Sequence, residues 1–153
     1  MSNTDTPLLP EVKDFLSKEV HGGFINGKEV QASNGDTFET RDPGTGERLA
    51  TVASLQAEDV DRAVESAGKA FENAAWARLS ANERGVPRQR LADAVETRKE
   101  IIAQIEALDC GKLLEQARDD VQNFIDTMRY FCVLSQSLSL HTPIPVKEHD
   151  ASV

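Results

Sequence analysis

The sequence predicts a mixed α/β segment, with a β-rich start, about four helices and an extended end. Three observations carry that expectation. Turn-forming pairs cluster in the first third, at Asn26-Gly27, Asn34-Gly35 and Asp42-Pro43-Gly44. They separate short runs of β-favouring residues, as strand connections do. From Val60 onward the apolar spacing becomes helical: Val60, Ala63, Val64, Ala67 and Phe71 follow the i, i+3, i+4 rule. Pro143 and Pro145 then stop any helix near the end and force an extended stretch over 142–146.

Each element follows in order. Residues 1–23 read as a flexible leader in which Glu11 to Val20 can form a short helix, with Val12, Phe15 and Leu16 on one side, ended by His21-Gly22-Gly23. Phe24-Ile25 and Lys28-Glu29-Val30 flank Asn26-Gly27, a type I′ hairpin signal, and Asn34-Gly35 reads as a second such turn. Thr37–Arg41 and Leu49–Val52 pair around Asp42-Pro43-Gly44-Thr45-Gly46-Glu47. A helix then runs from Glu58 to Phe71, with Glu58 and Asp59 at its electropositive start. Trp76, in the connection that follows, is expected to pack inward. Ser80-Ala81-Asn82-Glu83 is a capping box opening a helix with Leu91, Ala92 and Val95. Ile101, Ile102, Ile105 and Leu108 mark another, stopped by Gly111. From about Leu113 a long helix buries Val121, Phe124, Ile125, Met128, Phe131 and Cys132.

Composition excludes several function classes. A net charge of −9 disfavours phosphate backbones and anionic lipid. No stretch approaches the roughly 20 apolar residues of a membrane-spanning helix. Met1 to Pro10 lack the basic and apolar blocks of a secretory signal. Two cysteines 22 residues apart, Cys110 and Cys132, read as free thiols in a reducing compartment, and the cytoplasm is the expected location.

The residues also carry a family resemblance. Phe24-Ile25-Asn26-Gly27, Thr37-Phe38-Glu39-Thr40-Arg41-Asp42-Pro43, Gly46-Glu47 and Leu49-Ala50-Thr51-Val52 resemble the opening strands of NAD-dependent aldehyde dehydrogenases. Glu58 to Val64, Ala70-Phe71, Trp76, Glu83-Arg84, Leu91-Ala92-Asp93, Leu108-Asp109-Cys110-Gly111-Lys112 and Arg129-Tyr130-Phe131 continue in the expected order, with a betaine-aldehyde flavour. The resemblance implies that residues 24–153 are the N-terminal part of a Rossmann-like cofactor-binding domain, ending before its core and the catalytic domain. It implies a parent activity that oxidises an aldehyde to the acid. A cysteine thiolate attacks the aldehyde, and hydride passes to NAD. The family's nucleophile, general base, oxyanion-hole Asn and nucleotide-binding groups match no position here, so this chain alone is expected to be inactive. The segment Thr142-Pro143-Ile144-Pro145-Val146 resembles the first strand of the arm that pairs subunits. The expected partner is therefore another copy or a dehydrogenase subunit. A non-catalytic module that packs on a full-length subunit is the alternative.

Several residues look more reactive than they are expected to be. Cys110 lacks a local His to activate it and reads as an inert thiol. Cys132 reads as core filler on an apolar helical face. Gly44-Thr45-Gly46 hints at a phosphate loop, but Leu49 stands where a dinucleotide fingerprint needs glycine, so a hairpin turn is preferred. His21, His141 and His149 are too scattered for metal spacing. Glu58-Asp59 and Asp119-Asp120 read as solvated helix faces. The resemblance implies one site: a monovalent cation, K⁺ or Na⁺, held by backbone oxygens of Thr40 and Arg41, by the Asp109 carboxylate and by a further ligand from sequence absent here. The simpler reading, in which Asp109 only caps or hydrogen-bonds nearby backbone, is the favoured one.

The chain departs from the family at Gly85-Val86-Pro87-Arg88. A proline inside a helix costs about 3 kcal/mol. A buried Arg88 would be costly as well, so the helix is expected to shift.

Overall fold

The computed structural model describes residues 7–137. The predicted extended segment 142–146, His141 and His149 lie outside them.

A short helix, α1 (Pro10–Leu16), opens the fold, with Pro10 at its first position, where the missing N–H has no partner to lose. It stops well before the expected Val20. Next comes the hairpin β1 (Gly23–Ile25) and β2 (Lys28–Val30), paired antiparallel with Phe24 opposite Glu29. Asn26 and Gly27 both have positive φ, 51° and 74°, as a type I′ turn requires. The Asn34-Gly35 turn is of another kind. Gly35 has φ 78° and donates its N–H to the Ala32 carbonyl, whereas Asn34 keeps a negative φ and accepts from the Asp36 N–H. The Asn34 side chain closes a local turn of its own, so no mirror-image turn is needed.

The second hairpin joins β3 (Thr37–Arg41) and β4 (Arg48–Ala53). Its register slips between Thr40 and Arg41: Thr40 faces Ala50, Arg41 faces Arg48, and Leu49 is the extra residue. The strand order is two separate two-stranded sheets. His21 links the start of β1 to β4 in parallel fashion, donating its N–H to Thr51 and accepting from Ala53.

Six helices lie among the described residues. After α1 come α2 (Ala57–Glu72), the single turn α3 (Ala74–Ala77), α4 (Ala81–Glu96), α5 (Lys99–Cys110) and α6 (Leu114–Ser137). The Ser80 capping box forms as expected, with Ser80 Oγ accepting from the Glu83 N–H and Glu83 accepting from the Ser80 N–H. Gly111 ends α5 in the left-handed region. The core is the packing of α4, α5 and α6 on Ala92, Ala103, Ala107, Ala117, Val121 and Ile125. So many alanines let the helix axes approach closely, and Ile125 is the bulkiest fully buried side chain. The α1 end is tied to α5 by the Leu9 N–H donating to Gln104 Oε1 at 2.9 Å.

The apolar stripe of α2 is not covered: Val60, Val64 and Phe71 are exposed, Phe71 at 85%. Several expectations need correction. Phe124 and Phe131 on α6 are also largely exposed, leaving Val121, Ile125 and Cys132 as its buried seam. Trp76 does not pack inward. It is 42% exposed, with the Arg84 and Arg88 guanidinium carbons each 6.0 Å from its ring centre, at the outer limit of cation–π attraction. Arg88 is thus exposed, and α4 runs straight through Pro87. Asp59 is no solvated-face residue. It is fully buried, and its carboxylate accepts from the backbone N–H groups of Gln56 (2.9 Å) and Ser33 (3.1 Å) and pairs with Arg62.

Candidate functional site

The chemistry-bearing residues converge where the β3–β4 hairpin meets the corner between α5 and α6. Leu108-Asp109-Cys110-Gly111-Lys112 builds that corner, each member with a separate task. Asp109 lies in the last turn of α5, and Thr40 Oγ1 donates to its Oδ1 at 2.7 Å across 69 residues of sequence. Gly111 turns the chain with φ 68°. Lys112 Nζ reaches back to Glu106 Oε1 (2.5 Å) and forward to Asp120 Oδ2 (2.8 Å), clamping α5 to α6. The Asp120 and Glu106 carboxylates hold its ammonium well above the ordinary lysine range.

Of the sequence-predicted cation ligands, Thr40 and Asp109 touch, but through the Thr40 hydroxyl rather than the backbone oxygen that the expectation assigned to it. Arg41 follows Thr40 at the register slip. Its guanidinium is held by Glu39 Oε2 of the same strand (2.5 Å) and by the Gly46 carbonyl of the turn (3.2 Å), so the backbone is what Arg41 can offer here. A bulge disrupts the ladder locally, which is where strand carbonyls can serve something other than the neighbouring strand. Among the described residues no group of three or more His, Cys, Asp or Glu side chains is placed to hold a metal ion. The donor set at this corner is one carboxylate with neutral oxygens. That suits a hard cation of low charge, and does not suit a transition metal.

Beside this corner lies a cleft of about 820 Å³ between α1, β4 and α5, lined by Phe15, His21, Val52, Ile102, Ile105 and Cys110 among others. Its walls are mainly apolar. His21 stacks on Phe15 at 4.4 Å, and its Nε2 is buried without a hydrogen-bond partner among the described residues. Lys18 and Glu29 pair at the rim, and Lys18 holds the Glu29 carboxyl below its ordinary value. Cys110 is an exposed free thiol and Cys132 a buried one, its Sγ 3.6 Å from the Gly85 carbonyl. The glycines at 44 and 46 sit in the hairpin turn, where the Gly46 N–H donates to the Asp42 carbonyl at 2.7 Å.

Sequence reasoning missed two features, one of them outside this region. The first is the buried carboxylate of Asp59. Its signal was present in Gln56-x-x-Asp59, a capping-box spacing with a glutamine at the cap. The second is the His21 bridge to β4, which no local pattern announces.

The family model described as "Aldehyde dehydrogenase family" matches residues 30–153. The mitochondrial 10-formyltetrahydrofolate dehydrogenase of Mus musculus is 41% identical over 129 residues, covering 78% of this chain and 14% of that protein. The NAD⁺ complex of an aldehyde dehydrogenase from Bacillus cereus superposes with a TM-score of 0.84 at 39% identity, covering 93% of this chain and 29% of that one. Betaine aldehyde dehydrogenase from Staphylococcus aureus, also in complex with NAD⁺, gives 0.78 at 29% identity, covering 88% and 27%. The chain therefore spans less than a third of each of these proteins.

Proposed function

The chain belongs to the aldehyde dehydrogenase family, and from that premise we propose that it supplies scaffold to an NAD-dependent oxidation of an aldehyde to the acid. Its part is the outer strands and helices of the cofactor-binding half, together with a monovalent-cation site at Thr40, Arg41 and Asp109. The observation that carries this reading is the 2.7 Å contact of Thr40 with Asp109, made at a register slip and beside an oxygen-only donor set. K⁺ or Na⁺ there would neutralise the Asp109 charge and fasten the hairpin to the end of α5.

The residues described here do not suggest a reaction centre of their own. Cys110 is an exposed free thiol, and a thiol needs an adjacent base or cation to act as a nucleophile at neutral pH. The two free cysteines fit the cytoplasm. The decisive assay is the purified chain with NAD and betaine aldehyde. No NADH is expected above the blank, and steady NADH formation would overturn the scaffold reading.

A second reading is favoured by the exposed Val60, Val64 and Phe71 on α2 and by Tyr130, Phe131 and Val133 on α6. Large apolar surfaces mark interaction sites. On this reading the chain is a non-catalytic module that packs on a dehydrogenase subunit or on another copy. Light scattering during size-exclusion chromatography separates the two, because a clean monomer speaks against it.

A further inference from the structure

We propose that Pro43 and Gly111 form a positioning contact that sets the Thr40–Arg41 bulge against Asp109, and that a side chain at position 111 weakens the cation site. The inference rests on the cation reading above and adds two residues to it that touch no ligand.

Two independent constraints meet at Gly111. Its φ of 68° is a conformation that glycine adopts freely and side-chain-bearing residues avoid. Separately, a Cβ built there would lie 2.7 Å from Pro43 Cγ, with Pro43 Cβ at 3.5 Å and Cδ at 3.7 Å. So the hairpin turn sits directly on the glycine, and the proline ring occupies the space a methyl group would need. Pro43 is only two residues beyond Arg41 and three beyond Thr40, while Asp109 is two residues before Gly111. The contact thus lies next to both halves of the proposed ligand set. The hairpin is stiff at this point: the Asp42 N–H donates to the Glu47 carbonyl at 2.9 Å, and the Gly44 N–H to Asp42 Oδ1 at 2.7 Å. A turn braced in this way cannot absorb a push locally, so a displaced Pro43 carries Thr40 with it. On the other side, Lys112 is clamped to Glu106 and Asp120, so the helical corner does not yield either.

The two constraints can be separated by mutation. Gly111→Ala incurs both the backbone strain and the clash. Adding Pro43→Ala removes Cγ and Cδ and leaves only Cβ at 3.5 Å, an ordinary contact, while the backbone strain at 111 stays. Stability should therefore recover only in part in the double variant, whereas cation binding should recover with the geometry.

The test is broadening of the ²³Na resonance by the 153-residue chain, with folding of each variant checked by circular dichroism. Wild type should broaden the line, and Asp109→Asn should abolish the effect. Gly111→Ala should weaken sodium binding by about tenfold, since a preorganised ligand set tolerates only a fraction of an ångström. The Gly111→Ala/Pro43→Ala chain should return to within about threefold of wild type. A folded Gly111→Ala chain that binds sodium like wild type overturns this inference alone, as does a double variant no better than the single one. Absence of any Asp109-dependent broadening in wild type overturns the cation reading and this inference with it. Where Gly111→Ala does not fold, Pro43→Ala carries the test: about threefold weaker binding is expected from the loosened hairpin, and unchanged binding refutes the positioning role.

Discussion

Ile125 is the side chain on which the helical core most depends. It is fully buried on α6, and its neighbours in the cluster are Ala92, Ala103, Ala107, Ala117 and Val121. Ile125→Ala removes three carbon atoms from the middle of this group. Replacements of this kind cost about 2–5 kcal/mol, and the position within that range depends on whether the site can collapse. The alanines have no side chain to swing into the hole, whereas Val95, Ile102, Leu114 and Met128 pack against the cluster and can fill part of it. The expected loss is therefore in the middle of the range, about 3 kcal/mol. Domains of this size are stable by only about 5–15 kcal/mol, so the variant should lose a large part of its stability. Urea unfolding followed by far-ultraviolet circular dichroism measures it, with Ile125→Val, expected to lose about 1 kcal/mol, as the graded control. A loss below about 1 kcal/mol for the alanine variant would show that the three-helix seam is not the core.

The opposite result is expected on α2, where Val64 is 65% exposed: Val64→Ser should change stability by no more than about 0.5 kcal/mol, and a large loss would mean that the α2 face is covered in solution. Asp59 sets an acid limit. The N–H groups of Gln56 and Ser33, helped by Arg62, depress its carboxyl to about 2. Its contribution is therefore fully present above the unfolded value of about 3.9 and is lost as pH falls through about 2. Asp59→Asn should make stability less dependent on pH between 5 and 2, and parallel wild-type and variant curves would contradict that. The single tryptophan, half out in solvent between two arginines, should be quenched readily by acrylamide in the folded chain; strong protection would place Trp76 inside after all.

Local signals in this chain were read more easily than the signals that join its parts. Asn26-Gly27, the Ser80–Glu83 box and Gly111 each act within a few residues, and each forms what its sequence announces. Helical periodicity located α2 correctly but not its environment. Amphipathicity says which face of a helix is apolar, while only the neighbouring elements decide whether that face is covered. The same limit explains Trp76, expected to pack inward although the single turn of α3 leaves it beside Arg84 and Arg88. Pro87 carries the cost of an interior proline, yet the capping box and the packing of α4 on α6 outweigh one missing N–H. The average cost of an interior proline does not decide the course of a helix held at both its start and its flank.

At the candidate site, the resemblance grouped Thr40, Arg41 and Asp109 as cation ligands, and the fold joins two of them differently, by a hydrogen bond from the Thr40 hydroxyl to Asp109 spanning 69 positions. Nothing in the spacing of these residues could have shown it. A capping or hydrogen-bonding role does not compete with cation binding, because a carboxylate has two oxygens and the Thr40 hydroxyl occupies one. The lone pairs left on Asp109 lie on an exposed rim beside the bulge, where a cation would displace only water. Its affinity would then depend on how firmly the hairpin is seated, and Pro43 against Gly111 is the contact that seats it.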